Sequence, residues 1–180
     1  MLRFESETRG SDAFYREVIN VLYSWKKITK NPAAKIQDMK KRVIVSLCLA
    51  AGLMIITGLM IAFLGADVLT VIAMTVAILT TMVAAFILVQ INNMMKKLKS
   101  MPEKTVLTLD DDGVQTEMGP DQTVRIKWSN VSLVRVFDEC IAFFPKDEHA
   151  GTVIIFTLKK YAEEITGFLN KEHSEITIVQ

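Results

Sequence analysis

Two stretches of this chain carry no charge at all: Val43 to Leu64, 22 residues, and Val68 to Ile91, 24 residues. As α-helices they would be about 33 and 36 Å long, enough for a hydrocarbon core of about 30 Å. Buried helices of a soluble bundle keep a polar stripe on one side, and neither stretch has one. Their polar groups are Ser46, Cys48, Thr57, Thr70, Thr75, Thr80, Thr81 and Gln90. Hydroxyls that bond the carbonyl one turn earlier are tolerated in lipid. Two transmembrane helices are therefore expected. The link of Gly65, Ala66 and Asp67 is short enough to force an antiparallel hairpin. Gly65 suits the C-terminal end of the first helix, and Asp67 suits the N-cap of the second.

Charge sets the orientation. Lys26, Lys27, Lys30, Lys35, Lys40, Lys41 and Arg42 precede the first span, and Lys96, Lys97, Lys99 and Lys104 follow the second. The hairpin link has no Lys or Arg. The positive-inside rule then places both termini in the cytoplasm and the protein in the cell (inner, cytoplasmic) membrane as a multi-pass protein. The first 40 residues are too charged for a signal peptide, so the first span is expected to act as its own uncleaved targeting signal. The 51% hydrophobic content excludes a uniformly soluble globule and a disordered chain, and two cysteines exclude a disulfide scaffold. The net charge of +1 conceals +5 on residues 1–42 (10 basic, 5 acidic), +2 on 43–100 (3 basic, 1 acidic) and −6 on 101–180 (8 basic, 14 acidic).

The second span carries small residues every fourth position: Ala73, Ala77, Thr81 and Ala85. Such spacing lets another backbone approach closely. The expected neighbour is the first span, through Cys48 and Gly52, with homo-oligomerisation through the second span as the alternative. Gly52, Ala73, Ala77, Thr81 and Ala85 are thus the candidate helix-packing residues. Neither span holds the ionisable groups that an ion path would use.

Residues 1–42 read as a cytosolic arm. Leu2 to Thr8 alternates as a short strand, Gly10 breaks it and Ser11 can cap a helix. Phe14, Val18, Val21, Leu22 and Trp25 recur at helical spacing, widened by Tyr15, Ile19 and Tyr23. So broad an apolar face must pack on the cytosolic domain or lie in the bilayer interface. The charge split predicts the former, through Phe14, Val18 and Leu22. The acidic domain then stands off anionic lipid, or docks its acidic face on the basic arm. Asn31-Pro32 reads as an N-cap and first helical residue, so a helix from Pro32 is expected to run unbroken into the first span. Lys35, Lys40, Lys41, Arg42, Lys96 and Lys97 are the candidate contacts for anionic membrane lipid, each worth about 1 kcal/mol near a charged surface. Their role in setting topology accounts for most of them without a specific site.

Residues 92–100 extend the second helix to about Lys99, and Met101-Pro102 ends it. Residues 101–180 then change to period two. Strands are expected over Thr105–Leu109, Val114–Met118, Thr123–Trp128, Leu133–Phe137, Cys140–Phe144 and Thr152–Phe156, with turns at Asp111-Asp112-Gly113, Gly119-Pro120-Asp121 and Asp138-Glu139. Leu158, Tyr161, Ala162, Ile165, Phe168 and Leu169 form the stripe of an amphipathic helix that Thr157 can cap, and Ile176–Val179 suits one last strand. The expected fold class is membrane α+β. It joins a two-helix transmembrane hairpin (43–64 and 68–91) to a cytosolic antiparallel β-meander, or pleckstrin-homology-like (PH-like) barrel, closed by a C-terminal amphipathic helix. Such a barrel needs seven strands, which predicts that Leu2–Thr8 joins the sheet.

This layout resembles the YcxB-like family of bacterial two-pass membrane proteins with a PH-like C-terminal domain. Lys127-Trp128-Ser129-Asn130-Val131 is similar to that family's Lys-Trp-Ser-Asp/Glu-Ile segment, while Phe156-Thr157-Leu158 stands where the family often has Pro-Lys. The resemblance implies an architecture and carries no agreed activity.

No catalytic, metal or cofactor-binding residues are expected. Cys48 and Cys140 lie in different parts and read as structural thiols. His149 and His173 are too few for a zinc site. Asp110-Asp111-Asp112 lacks the alternating ligands of a calcium loop and reads as a solvated turn. Trp128 reads as core. The acidic domain has no Lys/Arg cluster in its first hairpin, which argues against phosphoinositide binding. The expected function is a non-enzymatic membrane protein that presents the domain to an unknown protein partner or regulates at the membrane. The alternative is an immunity protein against a pore-forming or cell-wall toxin. Membrane lipids are an expected partner, and nucleic acid is not.

Overall fold

The computed structural model describes residues 1–6, 10–100, 105–118, 123–146 and 153–180. Thr8, Met101-Pro102, Gly119-Pro120-Asp121, His149 and Thr152, which carried expectations above, lie outside these residues. The chain divides into two compact units, residues 1–36 with 97–180, and residues 37–96.

The second unit is a hairpin of two helices. With α1 reserved for Asp12–Lys30 in the other unit, they are α2, Met39–Leu64, and α3, Val68–Lys99. Both are long and apolar enough to cross a membrane, and only 11% of each apolar window is buried. A core helix of a soluble protein would be mostly covered. Leu49, Phe63, Val68 and Leu69 are instead among many exposed apolar side chains. At the link, Gly65 has φ +86°, in the region that favours glycine. The Asp67 carboxylate accepts from the Thr70 amide at 2.7 Å, and the Thr70 hydroxyl accepts from the Asp67 amide at 3.1 Å. This reciprocal box satisfies two orphan amides of α3.

Expectation and structure part at the start of α2. Asn31 ends α1, its amide bonding Lys27 O, and no helix runs on from Pro32. Asp38 is the N-cap of α2, accepting from the Lys41 amide at 3.1 Å. The intervening segment turns at Asn31–Ala34, buries Ala34 and packs Ile36 on the β domain. Burial of those two side chains in an irregular segment outweighs helix continuation.

The first unit holds two four-stranded sheets. Sheet one orders β1 (Leu2–Ser6), β2 (Thr105–Leu109), β3 (Gly113–Met118) and β4 (Thr123–Lys127), all antiparallel. The N-terminal strand joins the sheet as expected, with Phe4 opposite Leu107. Sheet two orders β7 (Ile155–Leu158), β6 (Cys140–Pro145), β5 (Val131–Val136) and β8 (Thr177–Val179). Here the meander expectation needs correction, because β8 runs parallel to β5. Between β7 and β8 stands α4 (Ala162–Glu172), and a helical connection returns the chain in its original direction. Thr157 does not cap this helix. It lies buried in β7, and a single 3₁₀ turn over Lys159–Tyr161 precedes α4.

One core lies between the sheets. Phe4, Leu107, Leu109, Val114 and Ile126 of sheet one meet Val134, Ile141, Phe143 and Ile155 of sheet two, and Ile165 and Leu169 of α4 close it. Tyr161 ties the two ends of the unit together, its ring 4.7 Å from Phe4 and its hydroxyl donating to Glu5 O at 3.0 Å. Sheet two is also covered on its other face. Leu133, Phe137, Cys140, Ala142 and Phe144 alternate with the core residues and pack with Val18, Val21 and Ile28 of α1. Strands covered on both faces read as unbroken apolar runs, as Cys140–Phe144 does. A register shift between Val131 and Leu133 puts those two residues in different clusters.

The Asp110-Asp111-Asp112-Gly113 turn is more than a solvated loop. Asp110 Oδ1 accepts from the Asp112 and Gly113 amides at 3.0 and 2.9 Å, and Arg125 Nη2 donates to both carboxylate oxygens. Desolvation pulls this carboxyl up, but the two amides and Arg125 outweigh it and hold it below the usual range. A Cβ on Gly113 would collide with the backbone oxygen of Ile126, so glycine is required there. Trp128 completes the clamp, its Nε1 donating to Asp110 O at 2.7 Å.

The Trp128 ring is buried, 6.5 Å from Phe143 and 6.3 Å from Phe168. Truncating it to alanine removes both the ring and the Asp110 clamp. Trp128→Ala should destabilise the first unit by about 3–5 kcal/mol, read from denaturant unfolding followed by Trp25 fluorescence. A near-neutral effect would place Trp128 outside the core.

Candidate functional site

The candidate positions fall in three places. In the hairpin, the face between α2 and α3 repeats every seven residues: Val43, Ala50 and Thr57 on one helix, Thr70, Ala77, Ala84 and Ile91 on the other. Seven-residue recurrence is the pattern of two helices wound about each other. A stripe at strict four-residue spacing drifts off such a seam. Ala77 is accordingly buried, Ala73 and Thr81 are half-buried, and Ala85 is exposed. Gly52 is half-buried, but a Cβ built on it meets nothing within 4 Å, and Cys48 is exposed. The neighbours expected at Cys48 and Gly52 are therefore Val43, Ala50 and Thr57 instead. The Thr57 hydroxyl donates to Leu53 O at 2.8 Å and sits 3.3 Å from Met74 Sδ.

The cationic candidates are all exposed. Lys40, Lys41 and Arg42 open α2, and Lys96 lies near the end of α3, at the same end of the hairpin. Lys35 and Lys97 belong to the first unit.

The third place is α1 on sheet two. Ser11 caps the helix, accepting from the Phe14 amide at 3.0 Å. Its apolar side faces the sheet, as expected, with Phe14, Leu22 and Trp25 flanking the buried Val18, Val21 and Ile28. Glu17, which no sequence signal singles out, fixes this contact. Its carboxylate accepts from the amides of Asp138, Glu139 and Cys140 at 3.1, 2.7 and 2.9 Å. It thus caps the β5–β6 turn from a helix more than a hundred residues earlier. Only the helical register, seen with the sheet in place, identifies it.

Two reactive residue types remain, Cys140 at this contact and His173 beside the core between the sheets. Burial, followed by the negative charge of Glu17, pushes the Cys140 thiol far up, so it stays protonated at neutral pH. The His173 ring lies 4.6 Å from that of Trp128 and 5.7 Å from that of Phe168. Among the described residues Arg135 has no carboxylate within ion-pair distance. Its Nη1 donates to Ala34 O at 2.8 Å, its guanidinium lies 4.9 Å from the Phe137 ring, and burial lowers it from its ordinary value. Among the described residues no group of three or more His, Cys, Asp or Glu side chains is placed to hold a metal. Chemically, the arrangement fixes one helix on a sheet and leaves Arg16, Tyr23, Lys26, Lys27 and Lys30 of that helix exposed, while Ile19 among them is buried.

Comparison with protein-family models, with curated proteins and with solved structures gave no match.

Removing the Glu17 carboxylate leaves three amides without their charged acceptor. Glu17→Ala should cost about 1.5–3 kcal/mol, the range for bonds to a charged group, in denaturant unfolding followed by tryptophan fluorescence. Glu17→Gln, which keeps one carbonyl oxygen, should cost less. Equal stability of all three proteins would show that the contact does not hold α1.

Proposed function

We propose that this chain is a non-enzymatic integral membrane protein that presents a cytosolic PH-like domain for protein interaction or membrane-linked regulation. The observation that carries the reading is the hairpin: two membrane-length helices whose apolar side chains are left uncovered. It is inserted into a folded unit that the chain leaves after Ile36 and re-enters at Lys97. A soluble protein rarely exposes so much contiguous apolar surface. Lipid is the solvent that suits it.

Several features support the finer parts of the reading. Four strands, three strands and then a helix is the order of a PH-like barrel, here with β8 added, and it fits the YcxB-like layout. The cations beside the apolar segments, against none in Gly65–Asp67, favour cytoplasmic termini in the cell membrane. A Cys140 thiol kept protonated by burial supports a binding role over catalysis.

Cysteines placed singly at Ala66 and at Lys171, in a Cys48→Ala background, test the topology. An impermeant thiol reagent should label Ala66→Cys in intact cells and label Lys171→Cys only after permeabilisation. The reverse pattern would put the β domain outside the cytosol and remove the reading.

A further inference from the structure

We infer that the outer face of α1 is a docking surface for an anionic lipid bilayer, an inference that rests on the membrane reading above. Arg16, Tyr23, Lys27 and Lys30 are spaced seven, four and three apart, so they share one side of the helix. Lys26 borders them. All five are exposed. This side lies opposite Val18, Val21, Trp25 and Ile28, which face sheet two or flank it.

The charge on this face is not neutralised from within. The two acidic residues of α1 are mainly engaged elsewhere: Asp12 pairs with Lys99 at 2.5 Å, with Arg16 a smaller influence on it, and Glu17 caps the β5–β6 turn. No carboxylate among the described residues forms an ion pair with Arg16, Lys26, Lys27 or Lys30. Among the described residues Lys27 reaches a backbone carbonyl, Lys35 O at 3.5 Å.

An anionic bilayer is the occupant that fits. The face offers four cations around an aromatic ring, Tyr23, which is 42% exposed. Basic side chains around an aromatic ring are the composition of an interfacial helix. Covalent order supports the same choice, since the chain passes from Lys30 to the membrane-length helix α2 at Met39. Residues 101–180 carry net −6, so anionic lipid repels most of the unit's other surfaces. In this arrangement α1 is held by its apolar side and turns its basic side to the headgroups. The domain then sits against the bilayer through α1, and does not stand off it.

The test uses the full chain in nanodiscs, with Cys48→Ala and bimane on Tyr23→Cys. Headgroup nitroxide lipid should quench the label when about one third of the lipid is phosphatidylglycerol, and should not in pure phosphatidylcholine. Quenching should vanish in about 1 M salt, where the screening length is about 3 Å, and in the Arg16→Gln, Lys26→Gln, Lys27→Gln, Lys30→Gln variant. Equal quenching in both lipids, or none in either, overturns the inference while leaving the membrane reading intact. Dimers that form through this face, and that the quadruple variant abolishes, would assign it to the acidic surface of a second copy and also overturn it. Extraction of the protein from membranes by alkaline carbonate would overturn the membrane reading itself.

Discussion

The contact on which the rest of the first unit depends is that between α1 and the outer face of sheet two. That sheet has the shared core on one side, through Val134, Ile141, Phe143 and Ile155, and α1 on the other. Without α1, the side chains of Leu133, Phe137, Ala142 and Phe144 would face water. Full burial of an aliphatic or aromatic side chain is worth about 1.5–3 kcal/mol, so this face decides whether the sheet is soluble. Glu17 adds direction to that contact, because three converging amides accept only one placement of its carboxylate.

The chain order gives this contact a second consequence. β1 and α1 precede the hairpin, and the strands they pair with or cover follow it. Leu2–Ser6 pairs with Thr105–Leu109, and Glu17 reaches Asp138–Cys140. The hairpin is therefore an insertion that leaves one folded unit and returns to it. Non-local pairing of this kind is entropically costly to close and slow to form. A hairpin of two adjacent antiparallel helices ends close to where it begins, which keeps the two halves within reach of each other.

Much of this was legible in the sequence, for identifiable reasons. The two apolar segments, most of the strands and the α4 stripe at Ile165 and Leu169 follow from periodicity, but the strand expected over Thr152–Phe156 runs over Ile155–Leu158 and takes Leu158 out of the helix stripe. The two-sided burial of β6 follows from its unbroken apolar run. The seven-strand requirement of a barrel pointed to β1. What failed depended on local competition. Asn31-Pro32 carries a valid N-cap signal, yet Asp38 wins because Ala34 and Ile36 gain burial between them. Thr157 could cap a helix, but pairing in β7 uses its backbone first. The four-residue small stripe ignored the winding of one helix about another, which favours Thr70, Ala77, Ala84 and Ile91. Glu17 and the parallel β8 were invisible for a common reason, since each is fixed by partners distant in sequence.

Hydrogen exchange on the detergent-solubilised full chain tests the central claim, that α1 and the two sheets form one unit, most directly. Amides of residues 14–28 should exchange as slowly as those of β5 and β6, because opening α1 exposes sheet two. Exchange of residues 14–28 at the rate of a free helix, while β5 and β6 stay protected, would contradict it.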